Sequence, residues 1–126
     1  MAKQWTKEQL NQFTDADDMY VSPFYADGKT FGTPTWIWSV VVGQNLYVRA
    51  YNGQNSRWYQ SAMTQQAGKI KLAGQEFAAE FIDAAGDQEL DAKINAAYQA
   101  KYQDSPYLPP MLKTGPVSAT VKILPR

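Results

Sequence analysis

Hydrophobic and polar positions repeat along this chain with two periods, and the change of period marks the elements. In WTKEQL, Thr6 is placed to cap a helix, Gln9 follows three residues on, and Trp5 can pack on Leu10. That is a capping box with a hydrophobic staple, and it predicts a short helix over about residues 6 to 14. MYVSPFYA (19 to 26) has the aromatic and β-branched content of a strand. Pro23 lacks a ladder donor, so the strand is expected at an edge or bulged, and Asp27-Gly28 follows as a turn. TWIWSVVV (35 to 42) and LYVRAY (46 to 51) flank Gly43-Gln44-Asn45 and predict a hairpin. In its second strand Leu46, Val48 and Ala50 share one face; Tyr47, Arg49 and Tyr51 share the other.

Ser56 is a candidate cap for a helix running to about Gln66, with Gly68 as its stop. KIKLAG and QEFAAEFI predict a second hairpin, in which Ile70 and Leu72 alternate with lysines and Phe77, Ala79 and Phe81 with Ala78 and Glu80. Residues 87 to 102 carry the clearest helical stripe: Leu90, Ile94, Ala97, Tyr98 and Tyr102, with Glu89 one turn before Lys93. Tyr98 and Tyr102 are expected to pack, and Lys101 to face solvent or reach a phosphate. SPYLPPMLKTGP cannot be helical throughout. VSATVKIL predicts a last strand with Val117, Ala119, Val121 and Ile123 on one face.

The resulting order is α, β-β-β, α, β-β, α, β, in a single domain over residues 1–126. Hairpins dominate, so this β-rich α+β chain should form a strongly curled antiparallel sheet, or a small barrel with helices outside. No strand–helix alternation of a doubly wound sheet, GxGxxG run or Walker loop occurs.

Composition narrows the chemistry. Hydrophobic residues make up 44% of the chain, enough for one core. Twelve basic residues balance twelve acidic ones, so no global field favours nucleic acid or an anionic membrane. The chain has no cysteine and no histidine. It therefore lacks the atoms for disulfides, thiolate nucleophiles, the usual hydrolase triads and nearly all zinc or iron sites. Asp15, Asp17 and Asp18 read as a helix-ending turn rather than a metal loop, which needs more oxygen ligands at regular spacing. MAKQWTKEQL has no apolar core of signal-peptide length, and no run is long enough to span a bilayer. The expectation is a soluble, cytoplasmic protein without metal, nucleic-acid or membrane partners.

The segment YVRAYNGQNSRWYQSA (47 to 62) carries the candidate site. Arg49 is expected mid-strand beside two tyrosines, where it needs an anion, a carboxylate or open water. Past the Asn52-Gly53 turn the chain enters a helix, whose first N–H groups are unpaired and attract anions. Gly53 permits close backbone approach; Asn52 and Ser56 offer hydrogen bonds; Arg57 adds a second guanidinium. Tyr51, Trp58 and a neighbouring Trp36 or Trp38 offer flat walls. The set suits a small molecule with an anionic end and a planar end. A structural alternative pairs Arg49 with Glu80 or Asp83 and leaves Trp36 and Trp38 as core.

PTWIWSVVVGQNLYVRAYNGQNSRWYQSA, AGKIKLAG and AAYQAKY closely resemble a bacterial family of small proteins of unknown function, from about Gly28 to Pro125. More distantly, the element order resembles the split-barrel flavoproteins: pyridoxamine-phosphate-oxidase-like proteins and deazaflavin-dependent nitroreductases. This second resemblance implies an antiparallel six-stranded split β-barrel with three flanking helices. It implies FMN or a deazaflavin as cofactor and a homodimer with the cofactor between subunits. Arg49, Asn52, Gly53, Ser56 and Trp58 match the phosphate-contacting segment, and Thr33 and Thr35 lie near an earlier phosphate contact. DGKTFGTPT stands where the nitroreductases carry a Gly-Arg-Lys-Ser-Gly run. The implied activity is reduction of a quinone- or nitro-like compound. The alternatives are a non-enzymatic binding protein for a small anionic ligand, or an interaction module on the same fold.

Overall fold

Helix α1 (Lys7–Asp15) opens a chain whose computed structural model describes residues 4–16 and 19–126. Its capping box is complete: the Thr6 hydroxyl accepts from the Gln9 amide at 3.1 Å, and the Gln9 side chain accepts from the Thr6 amide at 2.8 Å. Trp5, just ahead of the cap, is buried edge-on against Phe13 and Phe77 and donates its indole N–H to the Ile123 carbonyl at 2.8 Å. The helix ends at Asp15; Asp17 and Asp18 lie outside the described residues.

The strands are β1 (Tyr20–Pro23), β2 (Thr35–Trp36), β3 (Ser39–Val42), β4 (Asn45–Arg49), β5 (Ala67–Leu72), β6 (Gln75–Asp83) and β7 (Thr120–Pro125). They form one antiparallel sheet in the order β2-β1-β5-β6-β7-β4-β3. The α+β class and the curled antiparallel sheet agree with the sequence reading. The strand count does not: seven strands replace six, because TWIWSVVV breaks. Its first part pairs with β1 and its last part with β4, so one run supplies both edges of the sheet. Only Ile37 and Trp38 lie between those edges. Three residue steps span at most about 11 Å, so the sheet must curl into a half-barrel whose edges converge there.

The hairpin turns follow their residues. Gly43 takes φ +61 in the two-residue loop between Val42 and Asn45, and Ala73-Gly74 take φ +54 and +77 between Leu72 and Gln75. The strand of Pro23, expected at an edge or bulged, is not an edge strand, because β1 lies between β2 and β5. Its missing N–H costs nothing, since β2 reaches only Tyr20 and Val21. Helix α2 (Arg57–Gln65) stops at Gln66, in the left-handed region at φ +59, and not at Gly68. Gly68 lies inside β5, opposite Pro23.

Helix α3 (Gln88–Tyr102) is capped by Asp87, which accepts from the Leu90 amide at 3.1 Å. The predicted stripe packs on the outside of the sheet, with Ile94 and Tyr98 fully buried and Glu89 3.9 Å from Lys93. The proline-rich connection folds into two short helices beyond the three expected, α4 (Leu108–Met111) and α5 (Thr114–Ser118). Val117 belongs to α5 and not to the last strand face, which keeps Val121 and Ile123.

Two cores result, and β4 separates them. Leu46, Val48 and Ala50 face an inner core with Phe13, Val21, Ile70, Phe81 and Ile123. Tyr47 faces an outer core with Val40, Ile94, Tyr98, Leu108 and Met111. Lys101 ties the layers together and does not face solvent. Its half-buried ammonium donates to the carbonyls of Phe13 and Ala16, at the end of α1, and of Ser39, at the start of β3. A cation at a helix C-terminus satisfies carbonyls that have no partner within the helix. Lys101→Met should therefore lower stability by about 2 kcal/mol in urea unfolding, with an unchanged slope.

Candidate functional site: an aromatic cleft over a buried arginine

Arg49 ends β4 opposite Thr120 of β7, and its side chain points into the outer core beneath α3 and α4. It has no solvent exposure. The guanidinium spends four of its five N–H donors on internal acceptors: Thr120 Oγ1 at 3.3 Å, Asn95 Oδ1 at 2.5 Å, the Met111 carbonyl at 3.2 Å and the Asp91 carbonyl at 3.3 Å. The Tyr98 ring lies 5.5 Å from its central carbon. The ion pairs among the described residues are Lys69 with Glu76 and Lys93 with Glu89, so Arg49 is held by neutral groups. Neither Glu80 nor Asp83 bonds it, contrary to the structural alternative. Burial pushes its pKa down, opposed by the Tyr98 phenol and the Asp91 carboxylate. Burial also pushes the Tyr98 phenol far up; its O–H donates to the Trp38 carbonyl at 3.1 Å.

That bond belongs to the clamp on the Ile37–Trp38 junction. Trp38 stacks on Tyr102 with centroids 4.1 Å apart and planes 3° from parallel. The Tyr102 hydroxyl meets both the amide and the carbonyl of Ser39 at 3.3 Å. Helix α3 thus fixes the converging edges of the sheet and, with them, both tryptophans of TWIW. Trp38 packs against the outer core, and Trp36 does not. Trp36 is 54% exposed and Trp38 half-buried.

Between this junction and α4 opens a cleft of about 500 Å³, lined by Trp36, Ile37, Trp38, Arg49, Tyr51, Ser105, Tyr107 and Met111. The volume is in the range of small-molecule sites. Tyr51 and Tyr107 meet edge to face at 6.3 Å and are 47% and 61% exposed. With Trp36 they leave three large rings open to solvent at one opening.

The structure brings together only part of the predicted set. Arg49 and Tyr51 line the cleft, but Asn52, Gly53, Ser56, Arg57 and Trp58 do not. Asn52 precedes a 3₁₀ turn, Gly53–Asn55, in which Gly53 is buried at φ +70 with the Gly115 backbone close by. Ser56 stands at the N-cap of α2 but makes no side-chain cap bond, and Arg57 is exposed on the first turn. Trp58 is buried in the inner core, edge-on to Tyr59. A second groove, of about 560 Å³, runs past Gln54, Tyr59, Gln60 and Asp83, and Arg57 lines neither. Sequence reasoning missed Ser105, Tyr107 and Met111. The one available signal was Tyr107, a large ring between prolines in a segment with no apolar stripe to bury it.

Fold and cleft define a small α+β protein: a curled antiparallel half-barrel whose converging edges carry an aromatic pocket. The chain belongs to the family described as "Uncharacterized protein conserved in bacteria (DUF2255)", which it matches over residues 9–123. No curated protein and no solved structure matched it. Among the described residues, no helix is long and apolar enough to cross a membrane.

Proposed function

We propose that this protein binds a small planar molecule in the cleft under Trp36 and Tyr107. One observation carries the reading: four rings, of Trp36, Trp38, Tyr51 and Tyr107, line a single 500 Å³ space, three of them substantially exposed. Exposed aromatics converging on one concavity gain free energy by stacking on a flat ligand.

A flavin- or deazaflavin-type cofactor, FMN included, is the second reading, with redox chemistry supplied by the cofactor. The aromatic walls and the split-barrel resemblance favour it, and the substrate would be quinone- or nitro-like. The cleft fits the ring but not the phosphate. Arg49, the single cation on its wall among the described residues, is shielded and engaged, while Arg57 and the start of α2 lie off the cleft. No reaction step is therefore derived through the cofactor.

Thermal shift with riboflavin, FMN and 2-naphthoate, followed by calorimetric titration, tests the binding reading. Wild type should be stabilised by at least one planar compound through binding linkage. Trp36→Ala should weaken that compound at least about tenfold, the value of one stacked ring, without loss of stability, because Trp36 is exposed. Equal affinity in Trp36→Ala, or no response to any of the three, would leave an interaction module as the better description. Preference for FMN over riboflavin would restore the phosphate. Light scattering on the same samples reads the homodimer that the split-barrel resemblance implies.

A further inference from the structure

The charge on the cleft's ligand can be argued further, and the inference rests on the binding reading above. Aromatic boxes commonly hold cations, because ring faces are negative and attract quaternary ammonium groups. This cleft has the rings but the opposite floor. Among the described residues, its single charged lining side chain is the Arg49 guanidinium, and no Asp or Glu lines it. The polar side chains around the opening bring donors as well: the Ser105, Tyr51 and Tyr107 hydroxyls. Ser105 accepts from the Tyr107 amide at 3.2 Å, which leaves its own proton available to a ligand acceptor.

The counter-charge lies elsewhere. The Asp91 carboxylate attracts Arg49 but forms no ion pair with it and does not line the cleft. One of its oxygens is buried without a hydrogen-bond partner. Of these two residues, only Arg49 lines the cleft. A fixed positive charge in a poorly solvated wall is screened far less than a surface charge. It acts on a ligand chiefly through its field, since four of its five N–H groups are engaged and solvent does not reach it.

We propose that the cleft selects planar anions without a phosphate — arene carboxylates, phenolates or enolates — over neutral and cationic rings of the same shape. The rings supply affinity for the flat part; the Arg49 field and the Ser105 hydroxyl supply the preference for negative charge. A phosphate would need several unengaged donors on one anion, and Arg49, with four of its five N–H groups engaged, does not supply them.

The test is a matched series on the full chain at pH 7: 2-naphthoate, 2-naphthamide and 2-naphthylmethylammonium, titrated calorimetrically. The expected order is carboxylate, then amide, then ammonium, with about a tenfold gap between the first two. Raising salt from 0.05 to 0.3 M should change the carboxylate affinity less than about threefold, because the charge is buried. Amide or ammonium binding as tightly as the carboxylate overturns the charge assignment while leaving the cleft reading intact. Failure of all three to bind overturns the charge assignment, and it overturns the cleft reading as well when riboflavin and FMN also fail. Ser105→Ala adds a variant at a half-buried position outside the core: it should narrow the carboxylate-to-amide gap, and an unchanged gap removes Ser105 from the assignment.

Discussion

Arg49→Met should cost about 3–5 kcal/mol, the range for breaking a buried charged contact, and lower the midpoint of thermal unfolding by roughly 10–20 °C. The reason is that methionine fills the volume but donates nothing. Thr120 Oγ1, Asn95 Oδ1 and the carbonyls of Met111 and Asp91 would each lose a charge-assisted partner inside the outer core. Those acceptors come from β7, α3 and α4, so the loss loosens three elements at once. Arg49→Lys should fall between wild type and Met, since one ammonium cannot reach all four acceptors in the geometry of a planar fork. Glu80→Gln serves as the control. Glu80 is exposed and should tolerate the change within about 0.5 kcal/mol. Chemical denaturation decides the matter: a Met variant within about 1 kcal/mol of wild type would mean that the guanidinium is not the internal tie described, and would return it to the role of a ligand contact.

Gly68→Ala is the second large effect, and its cause is steric. A Cβ at Gly68 would lie 2.4 Å from the Ser22 carbonyl oxygen and 2.6 Å from the Pro23 Cα, both backbone atoms that cannot rotate away. Strand β1 would have to leave β5, and β1 carries Val21 into the inner core. A loss of about 3 kcal/mol or more is expected, at the upper end for overpacking. Gly115→Ala is the matched comparison. Its Cβ meets nothing within 4 Å, and it sits in a helix, so the change should be neutral or stabilise by up to about 1 kcal/mol. Equal stabilities for the two alanine variants would mean that β1 and β5 are not in such close contact.

The two glycines also separate what is local from what is not. Gly43 was legible as a turn residue because a short hairpin loop demands positive φ at defined positions. Gly68 looked like one more punctuation mark, a helix stop after Gln66. Its actual reason is a neighbour more than forty residues earlier in the chain, and no window of sequence contains that neighbour. TWIWSVVV shows the same thing on a larger scale. Its β character was plain, but a continuous run gives no sign that its first half pairs with β1 and its second with β4.

The candidate site divides the same way. Arg49 and Tyr51 were found by their alternation along LYVRAY, and both line the cleft. Arg57, Ser56 and Trp58 were grouped with them because they are close in sequence. The turn at Gly53–Asn55 and the burial of Trp58 carry that segment to the other core instead. Lys101 looked like a surface charge on a helix, since nothing local announces that the end of α1 and the start of β3 meet at its tip.

By itself, the sequence determined helices α1 to α3, the capping box at Thr6, both hairpins, the alternating faces of β4 and the stripe of α3. Each depends on the φ/ψ preference or side-chain period of a few adjacent residues. The closing of the sheet at Ile37–Trp38, the burial of Arg49 among neutral acceptors and the gathering of four rings into one cleft were decided by the tertiary structure alone. Those outcomes depend on which distant backbone comes within a few ångströms, and only the packed chain specifies that.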